Sequence, residues 1–350
     1  MAASQQRYNL VVIAELPFCL LMIVKRRKIV EPRLRSLRGG YIMFKRAVLL
    51  AAILAGSTAS AWADTKIAVG TPPIAEVEAA FIAKDEGLFA KNGLAVEFLP
   101  TGSNQTLVAA LVAGSHQIVS VSPTVLLQAV DSGIDLVVIA NCGVTAPRTA
   151  KNAGLAVRSG VELAAPEDLK GKKIGTPSIG GTLDILFRQW LKQKNISEKA
   201  MTFIEVPIPN TADVLKGGTI DAIIAGEPSL GRAVSQSNGK VAFNFMADLP
   251  ENLPYTTFVA TRDWAKANPE AVKAFRASMA DAAKFVSASP DKTREIVSKY
   301  TRLPVEVLNK IELPECRTVP TVAALDYFDK AMRDAGMLQS KIDTAGLIAP

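Results

Sequence analysis

The sequence predicts an α/β protein with two lobes, on the basis of three observations. Short runs rich in β-branched residues alternate with stretches of helical spacing, the alternation pauses over Asn141–Asn152 and restarts, and the chain is mostly helical after Tyr255–Thr261. Alternating strands and helices with short loops predict parallel sheets with right-handed crossovers. We therefore expect two α/β lobes, joined by a first crossing at Asn141–Asn152 and a second at Ala247–Tyr255.

The first lobe should begin with a strict alternation of strands and helices. Helical spacing over Ala75–Ala90 places Val77 and Phe81 on one face, and Asn92-Gly93 is a typical helix end. The expected strands are Thr65–Val69, Leu94–Leu99, Ile118–Val121 and Leu136–Ala140, and the expected helices are Ala75–Ala90, Gln105–Ala113 and Thr124–Val130.

The second lobe repeats the alternation, and a helical region follows it. The capped turn Pro166–Leu169 precedes the first helix of this lobe. The expected strands are Gly154–Arg158, Lys172–Gly175, Met201–Val206, Ala222–Ala225 and Val241–Phe245, and the expected helices are Thr182–Lys194, Ala212–Lys216 and Ser229–Ser235. The last helices are expected at Pro269–Val286, Pro290–Tyr300, Pro304–Lys310 and Thr321–Ala335.

A secretory signal peptide is predicted at residues 43–63. Met43-Phe44-Lys45-Arg46 is a basic head, Ala47–Ala55 is apolar, and Ala61-Trp62-Ala63 is a small-x-small cleavage site. For residues 1–42 we favour a start assigned too far upstream, with a long two-part leader and a retained anchor as alternatives. The mature protein would start at Asp64 and be soluble in the periplasm, with lobe 1 at 64–147 plus 255–350 and lobe 2 at 148–254.

The leader accounts for the basic character of the chain. The 350 residues hold 40 Lys and Arg against 33 Asp and Glu, a net charge of +7. Residues 1–63 hold ten of the basic and two of the acidic residues, which leaves 30 basic and 31 acidic ones and a net charge of −1. A nucleic-acid partner is therefore not expected, because a basic patch must lie on the folded domain to neutralise phosphates.

Residues for catalysis or metal binding are scarce. The chain has one histidine, His116, in a helix-to-strand turn where an exposed side chain is expected, and five tyrosines. Cys19 lies in the leader, and Cys142 and Cys316 are expected as separate thiols, although one bridge between them stays open. We find no Gly-x-Ser-x-Gly elbow, phosphate-binding loop or Cys-x-x-Cys pair, so we expect no enzyme, no cofactor and no metal.

Neutral polar motifs recur where predicted strands end and helices begin. Hydroxyls cap helix amides, proline suits the first helical turn, and glycine permits close approach of the backbone. Ligands in open α/β sheets bind at this edge, so the motifs indicate either simple capping or, converging from both lobes, an anion site. They are Thr71-Pro72-Pro73, Thr101-Gly102-Ser103-Asn104, Ser120-Val121-Ser122-Pro123 and Thr176-Pro177-Ser178-Ile179-Gly180-Gly181-Thr182.

Three charged residues are further candidates at the expected cleft. Glu227, before Pro228 at a strand end, suits a ligand amine, a closing ion pair across the lobes, or a favourable acid at a helix start. Arg148 lies in the first crossing and Arg188 on the helix opened by Thr182, and either would suit a carboxylate or sulfonate if it pointed inward.

Ordered segments of the chain resemble the nitrate/sulfonate/taurine-type substrate-binding proteins of ABC importers. The resemblance spans about Lys66 to Ala267 and rests on the order of segments that are weakly diagnostic singly. They are Ile82–Leu94 (with Gly87-Leu88-Phe89 and Gly93-Leu94), Ala109–Gly114, Asp168–Gly175, Gly217–Ala222 and Glu227-Pro228.

The resemblance implies a type II periplasmic binding protein fold, in which two Rossmann-like lobes close on a ligand between them. It implies a monomer that takes a small, anionic organic solute and delivers it to an ABC permease and its ATPase. The ligand contacts that it carries over are Thr71, Pro72, Ser103, Ser122, Pro123, the segment Thr176–Thr182 (with Ser178, Gly180 and Gly181) and Glu227.

Two other functions stay open at this stage. An enzyme of the same fold that makes or modifies a thiamine-related pyrimidine is one, but the histidine- and cysteine-bearing site expected of that branch is not found. Separately from these alternatives, Gln117 departs from the pattern of the family, since many relatives have an acidic residue at this position before the strand, and a structural role is expected for it. A lobe that reports its ligand to a receptor is the other.

Overall fold

Two five-stranded sheets organise the computed structural model, which describes residues 65–99 and 103–350. The first sheet has the order β2-β1-β3-β10-β4 and the second the order β7-β6-β8-β5-β9. The strands are β1 (Thr65–Gly70), β2 (Leu94–Leu99), β3 (Ile118–Val121), β4 (Leu136–Val144), β5 (Ala153–Val157), β6 (Lys173–Thr176), β7 (Thr202–Glu205), β8 (Ala222–Gly226), β9 (Lys240–Phe243) and β10 (Pro254–Thr261). The predicted leader, Asp64, Thr101 and Gly102 lie outside the described residues.

Helices cover the faces of both sheets. In the described part of the chain they are α1 (Glu78–Asp85), α2 (Leu88–Lys91), α3 (Asn104–Val112), α4 (Pro123–Asp131), α5 (Thr182–Gln193), α6 (Thr211–Lys216), α7 (Ser229–Gln236), α8 (Arg262–Ala267), α9 (Pro269–Ala288), α10 (Pro290–Thr301), α11 (Val305–Leu308) and α12 (Val322–Asp334). Among these helices, none has both the length and the apolar character needed to cross a bilayer.

Each sheet contains one reversed strand, which corrects the expectation of purely parallel sheets. β10 runs antiparallel to β3 and β4, and β5 runs antiparallel to β8 and β9. Both strands follow a crossing between the sheets. The chain arrives there at the edge where the parallel strands end, so it must run back through the sheet in the opposite direction.

The helix predicted at Ala75–Ala90 is interrupted. Ala75–Val77 is a 3₁₀ turn, and α1 ends at Asp85 before α2 begins at Leu88. Gly87 between them has φ +68°, a left-handed conformation that glycine adopts without a steric penalty. The continuous apolar spacing on either side of Gly87 concealed this break.

The last helix, α12, joins the cores of the two sheets. Leu325 and Phe328 on this helix belong to one buried cluster with Leu126 of α4 and with Phe187 and Trp190 of α5. A second cluster fills the other face of the first sheet, against α1 and α9. The lobe limits at 147–148 and 254–255 stay a prediction, but α12 clearly packs against helices from both sheets.

Candidate functional site

Thr71 and Ser120 meet where neighbouring parallel strands of the first sheet end. Thr71 follows β1, Ser120 lies in β3, and their hydroxyl oxygens are 2.8 Å apart with both residues buried. Pro72 follows, half-buried. The hydroxyl of Thr71 therefore holds two strand ends together and positions the loop that begins at Pro72.

Ser122 and Pro123 form the start of α4. The Ser122 hydroxyl oxygen accepts a 3.3 Å hydrogen bond from the Val125 N–H, and Pro123 occupies the first helical turn. Capping of this kind satisfies one of the free amides at a helix start. The predicted motif is thus a cap at the edge of the first sheet where β3 ends.

Ser103 caps α3 in the same way. Its hydroxyl oxygen accepts a hydrogen bond of 3.2 Å from the Thr106 N–H and lies 2.6 Å from the Thr106 hydroxyl. Ser103 is exposed, and its hydrogen bonds within the described residues stay in its own helix. The structure therefore does not connect Ser103 with the other predicted site residues.

The chain's own carboxylates bind the loop between β6 and α5. Thr176 is fully buried at the end of β6, whereas Ser178 is exposed. The Gly180 N–H donates to Asp184 Oδ2 at 2.8 Å, and the Ile179 N–H donates to Glu205 Oε2 at 3.0 Å. The amides expected to hold a ligand anion are thus already paired with carboxylates.

Gly181 and Thr182, at the end of this loop, differ in their hydrogen bonding. The Gly181 N–H donates to the Ser178 carbonyl at 3.0 Å. The hydroxyl oxygen of Thr182 is buried, and no hydrogen-bond partner is found for it among the described residues. Thr182 is therefore the predicted residue with unused hydrogen-bonding capacity at the start of α5.

Asp184 and Glu205 were missed by the sequence analysis. Asp184 stands in the first turn of α5, where an acid is favoured by the helix dipole, and this was a usable signal. Glu205 pairs in register with Thr176 on the neighbouring strand. That relationship depends on the order of strands in the sheet and has no local sequence pattern.

Ion pairs engage both arginines that were candidates for the cleft. Arg188 lies 2.9 Å from Asp184 and 3.0 Å from Glu198, and its guanidinium stacks over the Phe203 ring at 4.0 Å. Burial lowers the pKa of Arg188, but the hydrogen bonds to Asp184 and Glu198 raise it above its ordinary value.

Arg148 is paired on the first crossing. Its guanidinium nitrogens lie 3.5 Å from Glu312 and 3.8 Å from Glu315, and the side chain is about half exposed, at 47%. Ligand recognition by a free arginine therefore gains no support from either Arg148 or Arg188.

Glu227 stands just before the start of α7 and bonds to the first turn of that helix. Its Oε2 accepts a 3.1 Å hydrogen bond from the Gly231 N–H, and its own backbone N–H donates to the Asn152 carbonyl at 2.7 Å. An acid at a helix start was one of the three predicted roles of Glu227. The same geometry places Glu227 where β8 ends, beside the first crossing.

Glu76, close to Tyr255, is a second acidic residue near the strand ends, and the sequence analysis did not single it out. Burial raises the pKa of Glu76, and burial followed by the charge of Glu76 raises the pKa of Tyr255. Glu76 lies in the turn after Pro72, and its carbonyl accepts a 3.3 Å hydrogen bond from the Thr256 hydroxyl. The available signal was an acid in the first turn of the helix expected at Ala75–Ala90.

The loop between β6 and α5 of the second sheet lies close to helix α4 of the first sheet. Gly180 has φ +76°, and a Cβ at this position would lie 3.2 Å from Met337 Sδ and 3.5 Å from Gln128 Nε2 on α4. A Cβ at Gly226 would lie 3.8 Å from both Asn152 O and Leu183 Cδ1. The start of α5, the end of β8 and helix α4 are therefore close neighbours.

A cavity of about 610 Å³ lies elsewhere, along the second crossing and the start of α12. Asn141, Leu253 and Tyr327 are among the residues that line it, and none of the predicted ligand-binding residues does. The side-chain amide oxygen of Asn141 (Oδ1) and the Tyr327 hydroxyl are buried and have no hydrogen-bond partner among the described residues.

Cys142 and Cys316 are separate thiols, as expected, and they lie side by side. Their sulfur atoms are 3.1 Å apart and not bonded, and the Glu78 carboxylate lies beside them. Burial raises the pKa of both Glu78 and Cys142 well above the usual values. His116 is half-buried rather than exposed, because its ring lies against Gly70.

Comparison with known proteins identifies the relatives of the chain. The sequence profile of the NMT1-like family matches residues 60–300. The nitrate/nitrite binding protein NrtA of Nostoc sp. is 26% identical over 244 residues, which are 65% of this chain and 55% of the relative. The chain thus spans about half the length of that relative. The taurine-binding periplasmic protein of Escherichia coli is 28% identical over 231 residues, 65% of this chain and 69% of the relative.

The fold has a close counterpart among solved structures. The periplasmic aliphatic sulphonate binding protein SsuA of Escherichia coli superposes with a TM-score of 0.70 at 17% identity, over 81% of this chain and 97% of SsuA. This likeness confirms the predicted two-lobed α/β fold, and the relatives confirm the resemblance to nitrate-, sulfonate- and taurine-type binding proteins. Since the profile match covers well over half of its length, this chain belongs to the NMT1-like family.

Proposed function

We propose that the chain is the exported solute-binding component of an ABC importer, that it takes up a small organic anion between its lobes, and that it catalyses no reaction. The observation that carries the proposal is the proximity of Gly180, in the loop of the second sheet, to Gln128 on helix α4 of the first. Gly180 is a predicted ligand-binding residue, and α4 begins at two others, Ser122 and Pro123. The nitrate-binding and periplasmic taurine-binding relatives support the proposed export to the periplasm and the proposed delivery to a permease and its ATPase.

The surrounding charges refine the class of solute. Arg148 and Arg188 are already paired. The loop amides of Ile179 and Gly180 are paired with carboxylates as well. The hydroxyls of Ser178 and Thr182 therefore remain to hold the anion. Glu227 and Glu76 add two carboxylates near the strand ends. We therefore propose that the solute carries a positively charged or N–H donor group in addition to its anionic group.

The same arrangement supports closure of the two lobes on a bound solute. The Gly180 loop and α4 belong to different sheets, and the chain passes between those sheets at the two crossings. A solute that contacts both sides binds the closed arrangement better than the open one, and it shifts the population accordingly.

A pair of matched compounds tests the proposal. Taurine and ethanesulfonate share a sulfonate and a two-carbon chain and differ in the amine. The purified protein is titrated calorimetrically with both compounds, and then with nitrate, aromatic carboxylates and pyrimidines. We expect taurine-like compounds to bind at least about tenfold more tightly than their analogues without the amine, about 1.4 kcal/mol.

Other results would overturn the parts of the proposal separately. Tighter binding of ethanesulfonate would remove the role of the carboxylates but keep an anion-binding protein. Conversion of a bound pyrimidine would support the enzyme alternative. If a deletion strain still imports the solute that the protein binds, the chain is a sensor rather than a transport component.

A further inference from the structure

Three sulfur- and oxygen-bearing side chains converge at one edge of the first sheet. Cys142 lies near the end of β4, Glu78 is the first residue of α1, and Cys316 lies in a segment alongside β4. One donor atom from each residue lies within 4.8 Å of the other two. The three residues are far apart in the sequence, so only the fold brings them together.

The segment that carries Cys316 is held firmly against β4. The Val144 N–H donates to the Glu315 carbonyl at 2.7 Å, and the Asn141 N–H donates to the Thr318 carbonyl at 2.9 Å. These bonds lie on either side of Cys316 and hold its backbone alongside the part of β4 that carries Cys142. The two sulfur atoms are 3.1 Å apart, and they are free thiols.

Glu78 is the feature that calls for a partner. The residue is 0% exposed, and neither carboxylate oxygen has a hydrogen-bond partner from another described residue. Buried carboxylates in proteins are paired, hydrogen-bonded or bound to a metal. A disulfide between Cys142 and Cys316 would account for the sulfurs and leave Glu78 without a partner.

We propose that Glu78, Cys142 and Cys316 form a binding site for one thiophilic divalent cation, with Zn²⁺ as the best match. Zinc takes cysteine sulfur at about 2.3 Å and carboxylate oxygen at about 2.0–2.2 Å in a tetrahedral arrangement. Those bond lengths need sulfur atoms about 3.8 Å apart, so small side-chain adjustments from the present spacing suffice. Cys316 is partly exposed, which gives an entry path and leaves a fourth position for water.

The charges around the cluster suit a filled site. Two thiolates and one carboxylate around Zn²⁺ carry a net charge of −1. The start of α1, at Glu78, favours negative charge through the helix dipole. Arg148 is the nearby cation, and Glu312 and Glu315 pair with it.

The bound cation would join three parts of the first sheet's outer edge. It would connect the start of α1, the end of β4 and the segment around Cys316, next to the first crossing. This proposal departs from the expectation, drawn from the sequence, that the chain holds no metal. It is independent of which solute the protein binds.

Titration of the reduced, metal-free protein with Zn²⁺ against a chromophoric chelator tests the site. We expect one Zn²⁺ per chain, and with Co²⁺ a thiolate charge-transfer band. Each of Glu78→Gln, Cys142→Ser and Cys316→Ser should weaken Zn²⁺ binding at least about 100-fold, because each removes a ligand rather than an outer-shell partner. Glu86→Gln, the same change on an exposed acid just after α1, should not alter it.

As a control, thermal unfolding of each variant without metal shows whether the variant is folded. Glu78→Gln preserves side-chain volume, so it keeps the test informative if a cysteine variant fails to fold. The absence of Zn²⁺ binding by the reduced protein would overturn the proposal. Undiminished binding in Glu78→Gln would also overturn it, since two thiols alone would then hold the ion.

Discussion

The backbone N–H of Gly180 donates a 2.8 Å hydrogen bond to the buried carboxylate of Asp184, four residues further along the chain. The same carboxylate oxygen, Oδ2, lies 2.9 Å from Arg188 Nε. One side chain therefore fixes the loop that touches α4 and the helix that follows the loop. The position of the candidate site on the second sheet depends on this carboxylate.

Asp184→Asn should destabilise the protein and loosen the loop. Removing one partner of a buried pair costs up to about 3–5 kcal/mol, and Arg188 keeps Glu198, so we expect a loss of about 2–3 kcal/mol in the free energy of unfolding. Urea unfolding measures it. Asp213→Asn, the same change on an exposed helical acid, should cost less than about 0.5 kcal/mol. Equal stability of the two variants would contradict the role of Asp184.

Gly180→Ala should impair both stability and solute binding. A left-handed alanine costs about 1–2 kcal/mol, and the new methyl group would lie 3.2 Å from Met337 Sδ. Gly160 is a matched control, because its φ is +79° and a Cβ there would have no neighbour within 4 Å. Gly160→Ala should show the backbone cost alone.

The comparison of these two variants isolates the contact between the sheets. We expect Gly180→Ala to lose about 1 kcal/mol more than Gly160→Ala and to weaken solute binding, measured by calorimetry. If both variants bind the solute as the unmodified protein does, the Gly180 loop lies outside the binding site.

The strands were the most predictable part of the molecule. The run predicted at Met201–Val206 is the strand Thr202–Glu205, because β-branched and aromatic residues mark strands locally. The direction of β5 and β10 was not predictable in this way. Direction depends on the edge at which the chain enters a sheet, and no local pattern records it.

The candidate site was predictable in its caps and not in its pairings. Ser122 and Pro123 are a helix cap that a short sequence pattern identifies. The bond from Ile179 to Glu205 and the contact between Cys142 and Cys316 join residues 26 and 174 positions apart. Such contacts follow from sheet order and from the path of the chain's last segment.

Asp131 gives the stability a component that depends on acid pH. Its carboxylate accepts hydrogen bonds from the backbone N–H of Gln339, at 2.9 Å, and from the Ser340 hydroxyl, at 2.8 Å, and these lower its pKa. A depressed pKa adds stability that is present above the unfolded value, near 3.9, and is lost as pH falls through the folded value.

The expected result is a change in the acid limb of the stability curve. Asp131→Asn should lower the thermal midpoint at pH 7 and reduce the dependence of stability on pH below about 4. Asp213→Asn serves again as the control. An acid limb that Asp131→Asn leaves unchanged would show that this carboxylate is not stabilised by the segment at Gln339.

Glu227→Gln and Ser178→Ala should each weaken solute binding at least about tenfold, roughly 1.4 kcal/mol. Glu227 stands where β8 ends beside Asn152, and Ser178 is exposed on the loop next to α5. A glutamine still offers an oxygen to the Gly231 N–H, so Glu227→Gln removes mainly the charge that a ligand cation would need.

Calorimetry with the best-bound compound from the panel measures the effect, and Glu167→Gln, on an exposed turn, is the matched control. A compound without a positively charged group should lose less affinity in Glu227→Gln than one that carries it. Unchanged affinity in both variants would contradict the proposed position of the cleft, while loss in Ser178→Ala alone would keep the cleft and remove Glu227 from it.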